Sequence, residues 1–247
     1  LLLSFSCNNN SNYYNGMVSS AHPIASKIGL DILKNGGNAF DAAIAVHFAL
    51  SVVYPNAGNI GGGGFLVYRL NNGDIGTLDF REKAPEKSYR DMYIDNIEGE
   101  LKVDDKRSKI GHLASGVPGS VDGMVKIYDK FSTVDWKTLL EPSIKVAREG
   151  FGVTEKQAKG LNNVKKSLVS ANDHPIPFIK EDPWKVGDIL TQKNLANTLE
   201  EIKKSKRDGF YKGAVAELII NEMKSGGGII TQSDLDNYSS VWRLSLI

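Results

Sequence analysis

Apolar positions recur three and four residues apart over several windows, and each such window predicts an amphipathic helix. Ile24, Ile28, Ile32 and Leu33 share one face of a helix entered at His22-Pro23 and stopped by Gly36-Gly37. Asn38 caps the next helix, with Asp41 in its first turn facing the positive end of the dipole. From Ala39 to Val53 that segment is apolar nearly all round, so it is expected to be buried on most sides. Pro55 ends it. Further helical patterns cover Ser120 to Tyr128, Trp136 to Arg148, Thr154 to Leu168, Gln192 to Lys206 and Ala214 to Lys224. Thr231 with Asp234 three residues on predicts a short capped helix ending near Tyr238. The period changes to two in Phe65–Leu70 and Ile75–Phe80, which flank Asn71-Asn72-Gly73-Asp74 and predict a hairpin. Val241 to Ile247 is β-prone and no partner strand follows it, so more chain is expected downstream. Residues 86–112 are polar with mixed charge and are expected to form an exposed excursion. The mixture of helices and strands, with helices leading after residue 118, predicts an α+β layered fold.

Composition narrows the functional classes. The 247 residues are 41% hydrophobic and 24% charged, which is ordinary for a globular chain. Thirty basic against twenty-nine acidic residues give a net charge of +1, arguing against a nucleic-acid surface. No run reaches the ~18 apolar residues of a membrane span. A single cysteine, Cys7, excludes an internal disulfide or a multi-cysteine zinc site. Leu1-Leu2-Leu3-Ser4-Phe5-Ser6-Cys7 followed by an asparagine-rich tract resembles the end of a bacterial lipoprotein signal, with Cys7 as the lipidated residue. Residues 1–15 therefore read as a signal remnant and polar linker, and residues 16–247 as the body. That resemblance implies an exported chain, periplasmic or lipid-anchored at a cell surface.

Gly58-Asn-Ile-Gly61-Gly62-Gly63-Gly64 follows a helix and precedes a strand, the reverse of a phosphate cradle. It is expected to need positive φ and close backbone approach, as pocket walls and plain tight connections both do. His22, His47, His112 and His174 match no zinc spacing, and His47 reads as a packed, hydrogen-bonded core residue. No nucleophile elbow is present. Arg81, just past the second hairpin strand, could hold a carboxylate with its planar fork of donors. Taken alone, an arginine in that position reads as a surface ion pair of little energetic weight.

Several segments, in a fixed order, resemble the γ-glutamyltranspeptidase family. They are Gly36-Gly-Asn-Ala-Phe-Asp41-Ala-Ala, Val53-Tyr-Pro55 through Ile60-Gly-Gly-Gly-Gly64-Phe65, Asp79-Phe-Arg81-Glu-Lys-Ala-Pro85 and Val117-Pro-Gly-Ser120. Glu141-Pro-Ser143 through Phe151, Gly209-Phe-Tyr-Lys-Gly213, Gly226-Gly-Gly and Asp234-Leu-Asp-Asn-Tyr238 also fit, so the resemblance runs from Gly16 to Arg243. It implies an N-terminal-nucleophile hydrolase with a four-layer αββα sandwich, here the leading part of a large subunit and incomplete. A small subunit cut from the same precursor would supply the nucleophilic threonine, beyond Ile247, because no threonine of this sequence stands in the family's cleavage context. The γ-glutamyl amide of glutathione and similar donors would pass through an ester on that threonine to water, an amino acid or a peptide. The threonine's own α-amino group would serve as base, with no cofactor or metal. Arg81 matches the family's arginine for the donor α-carboxylate, and this polypeptide alone is expected to be inactive. A cephalosporin acylase, a poly-γ-glutamate transpeptidase or a non-catalytic binding module are the alternatives on the same scaffold.

Overall fold

The computed structural model describes residues 16–97, 100–103 and 106–244. The signal-like segment with Cys7, and Ile247, lie outside them.

The first two helices, α1 (Pro23–Lys34) and α2 (Ala39–Val53), follow the predicted boundaries. His22 caps α1 by accepting the Ile24 N–H at Nδ1 (3.2 Å). Asn38 and Asp41 form a reciprocal capping box on α2. Asp41 does more than face a dipole. Fully buried, it also accepts from Thr133 Oγ1 (2.8 Å), while Asn38 Nδ2 donates to Phe131 O (2.7 Å). At the other end of α2, Gln192 and Gln157 donate to the carbonyls of Val52 and Val53, 2.6 Å each. A buried helix end has no water for its orphan carbonyls, and these two amides replace it. Between its ends α2 buries Ile44, Ala45, Phe48 and Ala49 in the main core.

The hairpin is β1 (Phe65–Arg69) and β2 (Ile75–Asp79), antiparallel, with Leu66 opposite Leu78. Gly73 takes φ +94° in its turn, where Asn72 Oδ1 also accepts the Asp74 N–H at 3.0 Å. An unanticipated hairpin, β3 (Ile94–Ile97) with β4 (Glu100–Val103), lies within the polar excursion. Its residues face solvent on most positions, so no alternation marked it. Next come α3 (Ser120–Phe131) and α4 (Trp136–Glu149), the latter stopped by Gly150 at φ +90°. A two-residue strand β5 (Phe151–Gly152) precedes α5 (Glu155–Ala171) and pairs with β6 (Ile189–Leu190).

The remaining helices are α6 (Lys193–Ser205), α7 (Asp208–Tyr211), α8 (Gly213–Ser225) and α9 (Gln232–Asn237). Only the one-turn α7, too short to show a period, was not expected. The terminal strand β7 (Val241–Arg243) finds its partner upstream: it pairs antiparallel with β2, giving the order β1-β2-β7. One face of that sheet, with Leu66, Leu78 and Trp242, packs on the helical core. Phe65, Val67, Ile75 and Val241 on the opposite face are exposed.

Candidate functional site

The glycine loop, the end of β2 and the start of α3 meet at one place. Gly62 O accepts the N–H groups of Gly119 (2.7 Å) and Ser120 (3.0 Å), two donors that α3 cannot satisfy internally. Phe80 and Gly64 exchange a pair of backbone hydrogen bonds of 3.0 and 3.3 Å. No glycine of this loop has φ in the left-handed region, contrary to expectation. Space explains four of the five instead, Gly58, Gly62, Gly63 and Gly64, while a Cβ at Gly61 would meet nothing within 4 Å among the described residues. A Cβ at Gly63 would lie 2.4 Å from Phe80 O, and one at Gly64 2.9 Å from the Phe80 ring. Close approach was the correct half of the expectation.

Arg81 leaves this crowded backbone with its side chain 67% exposed. Both its main-chain groups are held by side chains: its N–H donates to Asp79 Oδ1 (3.0 Å), and its carbonyl accepts from the Tyr238 hydroxyl (2.8 Å). Among the described residues the guanidinium has one weak partner, Glu82 Oε2 at 3.3 Å from Nε, and it lies 6.0 Å from the Phe65 ring centroid. At such exposure this pair contributes little, so the fork of donors is not committed. The Arg81 N–H and the Arg243 guanidinium (2.7 Å) together hold the Asp79 carboxyl below the usual carboxylate range.

Behind Arg81 lies a buried polar network that periodicity did not reveal. Asp122 on α3, 4% exposed, accepts from Arg207 Nε (2.8 Å), Ser240 N (2.7 Å) and Ser240 Oγ (2.5 Å). Arg207 Nη2 donates to Tyr238 O (2.7 Å), and its guanidinium carbon sits 4.4 Å from the Tyr211 ring centroid. Tyr211 bonds Pro118 O (2.8 Å) and stacks on Tyr238 with ring planes 11° apart. Burial pushes both phenols well above their ordinary pKa, so each remains a donor. The tertiary fold supplies these contacts, since Asp122, Arg207 and Tyr238 lie on three separate segments. The one available signal was an aspartate among the apolar positions of α3.

An open cleft of about 270 Å³ runs along the other side of Tyr238, lined by Lys83, Glu86, Val117, Asp234 and Asn237 among others. Arg81 borders the glycine loop rather than this cleft. The histidines occupy separate structural positions. His22 caps α1, and His112 pairs with Glu222 at 2.8 Å. The His47 ring packs near Phe48 and Phe80, with Nε2 buried and unpaired and the backbone of Asn59 as its polar neighbour. Among the described residues, no three His, Cys, Asp or Glu side chains cluster as metal ligands.

Comparison with known proteins identifies the family and the fold. Residues 25–247 match the family model described as gamma-glutamyltranspeptidase. The glutathione hydrolase proenzyme of Escherichia coli is 44% identical over 230 residues, 92% of this chain and 39% of that protein. The chain thus spans about two fifths of the length of such relatives. The crystal structure of Helicobacter pylori gamma-glutamyltranspeptidase superposes with a TM-score of 0.89 at 45% identity, covering 94% of this chain and 66% of that one. The Bacillus anthracis transpeptidase enzyme CapD gives 0.73 at 31% identity, with 93% and 71% covered. The α+β arrangement is therefore that of the N-terminal-nucleophile hydrolases in this family.

Proposed function

The chain belongs to the γ-glutamyltranspeptidase family, and from that premise we propose that it is large-subunit polypeptide of a glutathione hydrolase that binds a γ-glutamyl donor through Arg81. The supporting observation is the Arg81 guanidinium itself. It projects from a backbone fixed on both sides, beside the glycine loop, with its donors almost uncommitted. A planar guanidinium in that state suits the α-carboxylate of a glutamyl group, which accepts two parallel N–H bonds.

In this reading the nucleophile is the N-terminal threonine of a small subunit from the same precursor. Its hydroxyl attacks the γ-carbonyl while its α-amino group, with an ordinary pKa near ~7.7–8.0, takes the proton. The amine leaves with that proton, and water or an acceptor amine then opens the ester. The exposed apolar sheet face of Phe65, Val67, Ile75 and Val241 is where a second sheet would pack, completing an αββα sandwich. Export with a lipid anchor on Cys7 is part of the same proposal and is tested by mass spectrometry of the native chain.

The test of Arg81 is kinetic. In the processed enzyme, Arg81→Ala should raise KM for γ-glutamyl-p-nitroanilide about 10- to 100-fold, the effect of a charge-assisted contact of ~1.5–3 kcal/mol. An unchanged KM would overturn the assignment. The chain without its small subunit should release no p-nitroaniline.

A further inference from the structure

We propose that Tyr238 is a positioning residue for donor binding, setting the aim of Arg81 through its backbone carbonyl; this rests on the reading of Arg81 as the α-carboxylate ligand.

Arg81 has little to orient its own side chain. Glu82 touches it at 3.3 Å and Phe65 lies at the edge of cation–π range. The peptide planes on either side set the direction of its Cα–Cβ bond, and with it the region the guanidinium can reach. Asp79 fixes the plane before it, and Tyr238 Oη, at 2.8 Å from Arg81 O, fixes the plane after it. Releasing that carbonyl frees the peptide to turn, and the long side chain magnifies the turn at the guanidinium. Binding that depends on two parallel hydrogen bonds is sensitive to such displacement.

Tyr238 is built to act as a fixed post. It is 3% exposed, and its ring stacks on Tyr211 and lies under Lys83 Nζ at 5.0 Å. Its own carbonyl is held by Arg207, which Asp122 pins in turn. The hydroxyl sits where a Cβ on Gly119 would come within 2.0 Å, so the absence of a side chain at Gly119 leaves room for this contact. The motif Asp234-Leu-Asp-Asn-Tyr238 thus serves two ends. Asp234 completes the Thr231 capping box of α9 and accepts the Glu86 N–H (2.6 Å), while Tyr238 reaches across to the donor-binding arginine.

The experiment is a double-mutant cycle in the processed enzyme with γ-glutamyl-p-nitroanilide. Tyr238→Phe, which keeps the ring and removes one neutral hydrogen bond, should raise KM about fivefold and leave kcat within about twofold. In an Arg81→Ala background the same change should have no further effect on KM, because the group it positions is gone. KM is independent of how much enzyme matures, so a variant that processes poorly still reports. A Tyr238→Phe enzyme with unchanged KM, or one whose effect adds in full to that of Arg81→Ala, overturns the positioning role. If Arg81→Ala itself leaves KM unchanged, the carboxylate assignment falls and the positioning role falls with it.

Discussion

Replacing Asp122 by alanine should be among the most damaging single polar changes in this chain. The carboxylate is 4% exposed and takes three hydrogen bonds, from Arg207 Nε and from Ser240 N and Oγ. Lys126 also approaches it at 3.9 Å while bonding the Ser240 carbonyl. Alanine would strand the Ser240 N–H in the interior and leave Arg207 without its counter-ion. Breaking a buried pair from one side costs about 3–5 kcal/mol. Arg207 is a quarter exposed and keeps its bonds to the carbonyls of Leu235, Asp236 and Tyr238, so the lower end, about 3 kcal/mol, applies. For a chain of this size that is a fall in Tm of about 6–12 °C. Thermal melts followed by far-ultraviolet circular dichroism, wild type beside Asp122→Ala, would measure it. Arg207→Met in the Asp122→Leu background should cost less than the two single changes summed, because an apolar pair leaves no stranded charge. A fall of under about 2 °C for Asp122→Ala would refute the claim that this network ties β7 and α9 to α3.

Two further outcomes follow from the same geometry. Gly119→Ala places a Cβ 2.0 Å from Tyr238 Oη and 2.2 Å from Phe80 O, and should destabilise by about 1–3 kcal/mol in urea titrations; a neutral variant would mean the junction has slack. Burial holds His47 neutral, lowering its pKa from 6.5 to about 4, so the unfolded chain binds the extra proton first. Stability from this residue is complete above pH 6.5 and is lost as pH falls towards 4, by about 3 kcal/mol, and His47→Phe should flatten that limb of the stability–pH curve; an unaltered slope would sink the reasoning.

Local chemistry was legible because its causes are local. Asn38 with Asp41 and Thr231 with Asp234 each cap a helix within four residues of sequence, and each is a reciprocal box in the structure; the Thr154–Gln157 box on α5 has the same spacing and was not anticipated. Asn72-Gly73 dictates its turn for the same reason. The glycine loop was read only in part, since a sequence gives the lack of a side chain but not whether torsion or space requires it. Space does at Gly58, Gly62, Gly63 and Gly64, through Leu50, Asn59 and Phe80, and nothing among the described residues requires Gly61. The β3–β4 hairpin escaped notice because solvent on both faces leaves no alternation to read.

The amino-acid order by itself determined the longer helices, the caps of α2 and α9, the β1–β2 hairpin, the α+β class and the arginine to suspect. Tertiary structure decided what that arginine stands on. Tyr238 lies 157 positions along the chain from Arg81, and Asp122 118 from Ser240. Contacts of that range carry no periodic or compositional trace, because they arise only when separately stable segments pack and their buried polar groups must find one another in place of water.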